Sequence, residues 1–566
     1  MPIKKKKKKE LKVTSRGGGS GGVRPTSDLR PSYVPKQPPC GATCPSAEPI
    51  RKYLRVIAAA KKEGTPLEAA YAAGWKALTT MNPIPAVMGR VCPHPCEGEC
   101  NRGHLDAAVN INSVERFLGD YATSKGLAFE KVSDAGTGKK VAVVGSGPAG
   151  LSCAYQLARR GYSVTMFEAQ AEPGGMLRWG IPAYRLPRDV IKADIDRILA
   201  LGVDLKLNSR VESFDSLKSD FDAVFVGIGA WTGLKLRLEG EDAPNVLSGI
   251  DYLWKVNNGE KPEIGDNVVV VGGGNTAIDA ARCAIRTGAK TTILYRRTIA
   301  EMPADEHEIE ECQNEGVDLQ YLAAPVKLIL ADGKVTAITA QKMELGEPDD
   351  SGRRRPVPIE GSEYEIPVSA LIPAISQAPD FSGFEQFIEG RDWFKVDDKG
   401  ATTVGEGAFA GGDALNLGLV TDAVGAGRRA AEGIHEELTG EKTEYPKLEL
   451  ITHDKLRLDS DAYPKIERGQ RRLIPVAERL ANPDAEVDLG MDEEAVIAEA
   501  GRCLSCGMCF NCEKCWQFCQ DGAVEKNPPD KRPDPANGTY FYFILEKCVG
   551  CKKCGEECPC GFIDLN

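Results

Sequence analysis

Cysteines near the end of the chain are spaced as ligands of iron–sulfur clusters. Of the 19 cysteines, eleven lie between residues 503 and 560, and most of them recur at every third position. Thiolates at this spacing wrap one face of a cubane, and in two-cluster ferredoxins the fourth cysteine of each run binds the other cluster. The pattern predicts two [4Fe–4S] clusters. Their expected ligands are Cys509, Cys512, Cys515 and Cys558 for one, and Cys548, Cys551, Cys554 and Cys519 for the other.

Three cysteines of this region are left over by that assignment, namely Cys503, Cys506 and Cys560. Because the cysteines recur every third residue, a shifted frame that uses Cys503 or Cys506 stays open. A zinc ribbon is the alternative, but it would need only four cysteines in two pairs.

A second group of cysteines lies near the start of the chain. It consists of Cys40-x3-Cys44 followed by Cys92-x3-Cys96-x3-Cys100, within a segment of helical apolar spacing. Five thiols are more than one four-ligand cluster needs, so we predict one [4Fe–4S] cluster here and three in the whole chain. A structural zinc site or a mixture of free thiols is the alternative.

A glycine-rich loop follows the first apolar run of strand length. The run VAVVG leads into Gly145-x-Gly147-x-x-Gly150, with Pro148 and Ala149 at the mouth of a helix, and Glu168 ends the next strand. The first glycine permits the turn, the second lets the backbone approach a pyrophosphate, and the third lets helix and strand pack closely. The helix N-terminus favours phosphate, and the acid can accept both ribose hydroxyls. The loop therefore predicts a site for FAD or NAD.

Two further segments favour FAD in this first site. Gly174, Gly175 and Met176 follow the second strand, and Gly412 and Asp413 precede a later helix. Both segments resemble the flavin motifs of flavoproteins with two dinucleotide-binding domains, in which the aspartate holds the ribityl chain. The alternative is that each glycine pair is only a turn.

A second glycine-rich loop repeats the plan later in the chain. Gly272-x-Gly274-x-x-Ala277 includes Asn275 and Thr276, and the next strand ends in Arg296 and Arg297 in place of an acid. An arginine can bind a ribose 2′-phosphate through paired hydrogen bonds, whereas an acid would repel it. The pattern favours NADPH over NADH; a solvated strand end is the alternative. Two such modules imply hydride transfer from nicotinamide to flavin, with no side chain as catalytic acid or base.

The elements that must position these residues alternate short apolar strands with helices. Such strands suit parallel sheets buried on both faces. We expect an α/β chain with two nested Rossmann-like domains, preceded by a helical iron–sulfur domain and followed by a two-cluster ferredoxin-like domain. The expected boundaries are a disordered basic tail at 1–36, the helical cluster domain at 37–136, FAD binding at 137–265 and 376–440, NAD(P)H binding at 266–375, a bridging segment at 441–500 and the ferredoxin-like domain at 501–566.

Composition excludes several classes of protein. The net charge is −11, which argues against a nucleic-acid-binding protein. No apolar run is long enough to span a membrane, and no apolar stretch follows the initial MPIKKKKKKE, so we expect a cytoplasmic protein without membrane association. The basic start is either a solvated tail or an electrostatic arm for an acidic partner.

Several motifs together resemble the small subunit of NADPH-dependent glutamate synthase and its relatives, among them dihydropyrimidine dehydrogenase. They are GRVCPHPCEGEC, VNINSVERFLGD, GSGPAGL, PGGMLRWGIPAYRLP, GGGNTAIDAAR and AGGDAL. The family typically has two N-terminal clusters, but its upstream CxxC pair is absent here. The resemblance therefore implies one cluster on Cys40, Cys44, Cys96 and Cys100, with Cys92 or Glu115 as alternative ligands.

The cysteine-rich region at 501–566 follows the nucleotide-binding domains and makes the resemblance more specific. The basic glycine-rich start, the PPCxxxC entry and CLSCGMCFNCEKCWQFCQDGAV are similar to DsrL-type proteins. This resemblance implies transfer of electrons from NADPH or NADH through FAD and [4Fe–4S] clusters to, or from, dissimilatory sulfite reductase. A homodimer is compatible with it. An electron-input subunit of glutamate synthase and a non-catalytic electron relay are the alternatives.

Overall fold

A computed structural model of the chain describes residues 26–133, 135–349, 352–388, 393–402, 404–528 and 540–566. The basic run Lys4 to Lys9 and the glycine-serine run lie outside these residues. Among the described residues, none of the helices combines the length and the apolar character that crossing a membrane requires.

The first part of the described chain is a short strand followed by helices, three of which begin at a proline. Proline suits the first helical turn because its missing N–H would have no partner there. The elements are β1 (Pro31–Tyr33), α1 (Pro39–Thr43), α2 (Ile50–Glu63), α3 (Leu67–Leu78), α4 (Pro85–Val91), α5 (Pro95–Gly98) and α6 (Ile111–Ser124).

A five-stranded parallel sheet in the order β16-β5-β2-β3-β4 carries the first glycine loop. Strands β2, β5 and β16 are buried and almost entirely apolar, because both faces of the sheet are covered, whereas the edge strand β4 is exposed and carries Asp204 and Lys206. The strands are β2 (Lys140–Val144), β3 (Ser163–Phe167), β4 (Asp204–Lys206), β5 (Ala223–Val226) and β16 (Ala408–Ala410). The helices around it are α7 (Pro148–Arg159), α8 (Met176–Trp179), α9 (Arg188–Leu199), α10 (Asp215–Lys218) and α14 (Val420–Thr439).

A four-stranded parallel sheet in the order β14-β7-β8-β9 carries the second loop. Its strands and helices are α11 (Gly249–Asn257), β7 (Asn267–Val271), α12 (Asn275–Ile285), β8 (Lys290–Tyr295), α13 (Glu306–Asn314), β9 (Asp318–Tyr321) and β14 (Ala370–Pro373). An antiparallel sheet between β9 and β14 consists of β10 (Ala323–Ala331), β11 (Lys334–Pro348), β12 (Arg354–Pro358) and β13 (Tyr364–Pro367). The chain passes from the first parallel sheet to the second and later returns. The two connecting segments pair with each other through two short antiparallel strands, β6 (Thr232–Gly233) and β15 (Gln377–Ala378).

The remaining elements follow the second parallel sheet in the chain and end in the cysteine-rich region. They are α15 (Val476–Ala481), α16 (Glu493–Arg502), α17 (Lys514–Phe518), β17 (Val524–Lys526), β18 (Phe541–Phe543), α18 (Lys553–Glu556) and β19 (Ile563–Leu565). Residues 441–475 run mostly without helix. Within this stretch, Arg468 contacts Glu97, and Arg471 donates to Asn112 at 2.7 Å.

The expected extent of the disordered tail is wrong at its C-terminal end. Strand β1 pairs antiparallel with β19, and Pro31 lies opposite Leu565. The ring of Tyr33 stacks on Phe543 and Phe562, with centroids 4.4 and 5.1 Å apart. These residues are ordered because they complete the sheet and the core of the cysteine-rich end, a contact that local composition does not reveal.

Candidate functional site

The first glycine loop has the geometry of a phosphate-binding turn. Gly145 has φ +93°, and a Cβ there would lie 2.4 Å from the carbonyl oxygen of Gly227. A Cβ on Gly150 would lie 1.9 Å from the carbonyl oxygen of Gly145. By contrast, the nearest neighbour of a Cβ on Gly147 would be 4.0 Å away. Packing therefore fixes the first and third glycines, while the second faces open space that a ligand can approach.

Glu168 holds the loop from the end of β3. Its side chain is buried, and Oε2 accepts hydrogen bonds from the hydroxyl of Ser146 and from its amide at 3.1 Å. The amide of Gln170 donates to Oε1 at 2.8 Å. The carboxylate is thus oriented at the lip of the loop, where ribose hydroxyls would meet it.

The two predicted flavin segments converge on the same loop. A Cβ on Gly175, which has φ +55°, would lie 2.8 Å from Cα of Gly147, and the amide of Gly174 donates to Ser146 Oγ at 3.0 Å. From the other side, a Cβ on Gly412 would lie 3.0 Å from Cβ of Ala149. The sequence places these glycines far apart, and the fold brings them to one cradle.

Asp413 lies beside this cradle at the start of the approach to α14. Burial, with a contribution from Asp422, raises the pKa of Asp413 to about 6. Its Oδ1 accepts a hydrogen bond from the amide of Gly418 at 3.3 Å. A half-buried carboxyl with spare acceptor capacity suits a hydroxyl donor such as a ribityl chain.

One cavity of about 460 Å³ is lined by residues from both nucleotide loops. From the first loop and its flavin segments, it is lined by Gly145, Ser146, Gly147, Pro148, Ala149, Glu168, Gly175, Met176, Gly412 and Asp413. Asn275 and Thr276 of the second loop also line it. Two nucleotides bound at these loops would therefore meet in one cavity, which is the arrangement that hydride transfer requires.

The second loop follows the same design. A Cβ on Gly272 would lie 2.2 Å from the carbonyl oxygen of Ala374, whereas a Cβ on Gly274 would meet nothing closer than 4.0 Å. Ala277 is fully buried. Asn275 accepts a hydrogen bond from the amide of Asp305 at 3.0 Å, and this bond fixes the start of α12.

The two arginines expected to bind a 2′-phosphate differ in their surroundings. Arg297 is buried; its Nη2 lies 2.6 Å from Asp349, and its Nε donates to the carbonyl of Arg354 at 2.7 Å. Arg297 thus braces the antiparallel sheet. Arg296 is exposed at the end of β8, and it is the residue of the pair that remains suited to a phosphate.

The thiols of the cysteine-rich end form two groups, each around its own small cavity. The cavities are lined by Cys509, Cys512, Cys515 and Cys558 in one case, and by Cys519, Cys548, Cys551 and Cys554 in the other. The structure therefore brings together the four thiols of each predicted set. Cys560 lies beside the first set, with its sulfur 3.8 Å from that of Cys558.

The N-terminal thiols do not form the single group that we expected. Cys40 and Cys100 line a cavity with Cys503 and Cys506, which neither Cys44 nor Cys96 reaches. The predicted set of four is therefore not gathered around one cavity, and the ligands of the N-terminal cluster stay a prediction. The reason is that α16 packs into the core of the helical domain and carries Cys503 to its surface.

The other N-terminal thiols lie near two buried carboxyls. Cys44, Cys92 and Cys96 interact electrostatically with one another and with Glu48, and Glu115 acts on Cys44 and Cys92. The amide of Asn82 bridges the two carboxyls at 3.0 and 2.7 Å. Burial raises the pKa of Glu48 to about 7. Both alternative ligands, Cys92 and Glu115, thus belong to this second group.

These thiol groups fit iron–sulfur clusters. Within the described ranges, no three histidine, cysteine or acidic side chains stand close enough to hold a single metal ion. Burial raises the pKa of several of these thiols, to about 12 for Cys506 and Cys512. Thiolates are the metal-binding form, so the positive charge of a bound iron–sulfur core offsets a cost that the thiolates alone would carry. Such clusters pass single electrons, and FAD exchanges a hydride with the nicotinamide.

Comparisons with known proteins agree with this arrangement. Residues 139–427 match the family model of pyridine nucleotide-disulphide oxidoreductases, and residues 33–127 match dihydropyrimidine dehydrogenase domain II, 4Fe-4S cluster. The NADP(+)-dependent formate dehydrogenase subunit beta of Moorella thermoacetica is 38% identical over 87% of this chain and 73% of its own. The NADPH-Fe(3+) oxidoreductase subunit beta of Geobacter sulfurreducens is 36% identical over 86% and 77%.

Two further similarities cover the middle of the chain. The glutamate synthase [NADPH] small chain of Escherichia coli is 34% identical over 70% of this chain and 88% of its own. Among solved structures, FprA from Mycobacterium tuberculosis in complex with NADPH covers 64% of this chain and 99% of its own, with a TM-score of 0.47 and 17% identity.

The matched family models and relatives show an oxidoreductase that uses NADPH, FAD and [4Fe–4S] clusters. The chain belongs to the pyridine nucleotide-disulphide oxidoreductase family, among proteins like the glutamate synthase small subunit. The expected family, fold class and enzymatic nature are confirmed.

Sequence reasoning missed two features of the site. Ser146 ties Glu168 to Gly174, and the spacing of the motif assigns it no role. Cys503 and Cys506 join the N-terminal thiols, although only the surplus of cysteines marked them in the sequence.

Proposed function

We propose that this chain passes electrons between NAD(P)H and dissimilatory sulfite reductase through FAD and [4Fe–4S] clusters. The observation that carries the electron-input role is the single cavity lined by both nucleotide loops. The residues that we propose for FAD, NAD(P)H and cluster binding are those described above, with Arg296 in place of Arg297 for a 2′-phosphate.

The choice of partner rests on the resemblance of the chain ends to DsrL-type proteins. The two thiol groups at 509–558 and 519–554 lie in the last part of the chain, whereas the nucleotide loops lie in its middle. Lys552 and Lys553 line the last of these groups together with Asp521, and Lys553 pairs with Glu556 at 2.7 Å. The charges around this group therefore have both signs, and the choice of partner rests on the resemblance alone.

A second candidate partner is formate dehydrogenase, because one relative, identical at 38% of aligned positions, is called a formate dehydrogenase subunit. In that case the clusters would carry electrons from a formate-oxidising subunit towards NADP⁺. Glutamate synthase is a third candidate, on the resemblance of residues 40–440.

The test is an anaerobic assay of the purified chain. We expect NADPH to bleach the flavin and cluster absorbance, and nucleotide oxidation to depend on added sulfite reductase and sulfite, with formation of sulfide. The same assay with formate dehydrogenase and formate, or with the large subunit of glutamate synthase, provides the comparison. If NADPH bleaches the absorbance but no electrons reach sulfite reductase, this partner is refuted, while the assignment of the chain as an oxidoreductase still holds.

A further inference from the structure

The thiols of Cys40, Cys100, Cys503 and Cys506 come from the two ends of the chain and meet at one cavity. Their electrostatic neighbours agree with the geometry: Cys40 faces Cys100, Cys503 and Cys506. Apolar side chains close the cavity on several sides. They belong to Pro38, Pro39, Leu54, Val109, Ile111 and Leu504.

The backbone that carries Cys503 and Cys506 is firmly held against the helical domain. Arg502 is completely buried, and its guanidinium donates to the carbonyls of Ala107 and Ala108 at 2.6 and 3.0 Å. In return, Arg102 donates to the carbonyl of Arg502 at 2.6 Å. Asp106 lies between the two arginines and pairs with both. The position of the two thiols is therefore set by a buried network.

Donors and a cation surround these sulfurs. The amide side chain of Asn101 lies 3.6 Å from the sulfur of Cys506, and the amide of Ser505 lies 3.4 Å from that of Cys503. The guanidinium of Arg51 donates to the carbonyl of Cys506 and to that of Lys36 at 2.8 Å. Hydrogen bonds to sulfur and a nearby positive charge are the means by which proteins stabilise an anionic cluster and set its potential.

We propose that Cys40, Cys100, Cys503 and Cys506 jointly hold a [4Fe–4S] cluster that neither end of the chain can hold alone. The site lies next to the following thiol group, because the amide of Gly507 donates to the carbonyl of Cys560 at 2.6 Å. It also adjoins the group of Cys44, since the amide of Cys44 donates to the carbonyl of Cys40 at 3.2 Å. The cluster thus joins the thiols near the flavin domain to those of the cysteine-rich end.

This site deepens the proposed function, since it supplies the link on which an electron route to the C-terminal clusters depends. NAD(P)H is the reductant, and each two-electron oxidation would send two electrons through this link one after the other. The existence of the site does not depend on which partner accepts them.

The test uses serine, which replaces sulfur with oxygen at nearly the same size. In the full chain, reconstituted anaerobically, C503S/C506S should contain about four fewer iron atoms and four fewer sulfides per FAD than the wild type. The reduced protein should lose one cluster signal in electron paramagnetic resonance. Bleaching of the flavin by NADPH should keep its wild-type rate. The matched control is C283S/C312S, which removes two buried thiols of the NAD(P)H domain and should keep all the iron.

A combined variant distinguishes one shared cluster from two separate ones. C40S should lose the same four iron atoms, and C40S/C503S/C506S should lose no more than either parent. A summed loss of about eight iron atoms would overturn the proposal, as would full iron content with an unchanged spectrum in C503S/C506S. Where the double variant fails to fold, C506S alone decides: an unaltered cluster spectrum refutes the site, and a shift or loss of one signal supports it.

Discussion

The contrast between Gly147 and Gly150 gives a sharp test of the first nucleotide loop. An alanine at 147 would place its Cβ 4.0 Å from the nearest neighbouring atom, so the chain itself accommodates the methyl group. The same methyl group would occupy the space through which a pyrophosphate approaches the backbone. We therefore expect Gly147→Ala to fold normally and to bind FAD poorly.

The size of the effect follows from the hydrogen bonds that the loop would lose. A hydrogen bond to a charged group contributes about 1.5–3 kcal/mol, so the loss of one costs about that much binding free energy. This corresponds to FAD binding weakened roughly 10- to 150-fold. The assay is FAD titration of deflavinated protein followed by fluorescence, with circular dichroism to verify the fold.

Gly150→Ala provides the opposite control. Its Cβ would lie 1.9 Å from the carbonyl oxygen of Gly145, so the helix and strand must separate, at a cost of about 3 kcal/mol of folding stability. The reasoning is refuted if Gly147→Ala binds FAD as tightly as the wild type. It is equally refuted if Gly150→Ala melts at the wild-type temperature.

Two other regions give further predictions. Arg296→Gln should raise the KM for NADPH about 10-fold or more and leave the KM for NADH unchanged. Arg297→Gln should instead lower the melting temperature, because Arg297 binds Asp349. Equal effects of Arg296→Gln on the KM of both nucleotides would contradict this assignment. Burial opposes the charge of Glu315, but hydrogen bonds from Arg282 and Arg286 outweigh it and lower its pKa to about 2. Glu315→Gln should therefore cost about 3–5 kcal/mol of unfolding free energy at pH 7, measured by denaturant titration, and a loss below about 1 kcal/mol would contradict it. Since the folded pKa lies below the unfolded one, the wild type should lose about 3 kcal/mol as pH falls from about 5 towards 2, and the variant should lack that loss.

The nucleotide loops could be predicted from the sequence because their parts lie close together in the chain. Strand, turn, helix and terminal acid occupy about 30 residues from Lys140 to Glu168, and each glycine has a local steric reason. The grouping of the last eight cluster cysteines was predictable for a similar reason, since their spacing within two short runs dictates which sulfurs can face one cubane.

The grouping of the N-terminal thiols could not be predicted from the sequence. It depends on how the chain folds back over the roughly 400 residues that separate Cys100 from Cys503. One signal was present: a CxxC pair was missing upstream of Cys40, and a spare pair, Cys503 and Cys506, stood before the ferredoxin-like region. Arg297 was misjudged for a related reason. Its partner Asp349 lies 52 residues further on in the chain, so the sequence does not show that the Arg297 guanidinium is already paired and cannot bind a phosphate.

The pairing of β1 with β19 has a consequence for how the protein is made. Residue 31 is synthesised well before its partner, residue 565. At about 5–20 residues per second, the 565 − 31 = 534 residues between them take roughly 25–110 s to translate. Throughout that interval the first strand has no sheet to join. The cysteine-rich region can therefore complete this sheet only after residue 565 has been synthesised, when the nucleotide-binding domains have had time to fold.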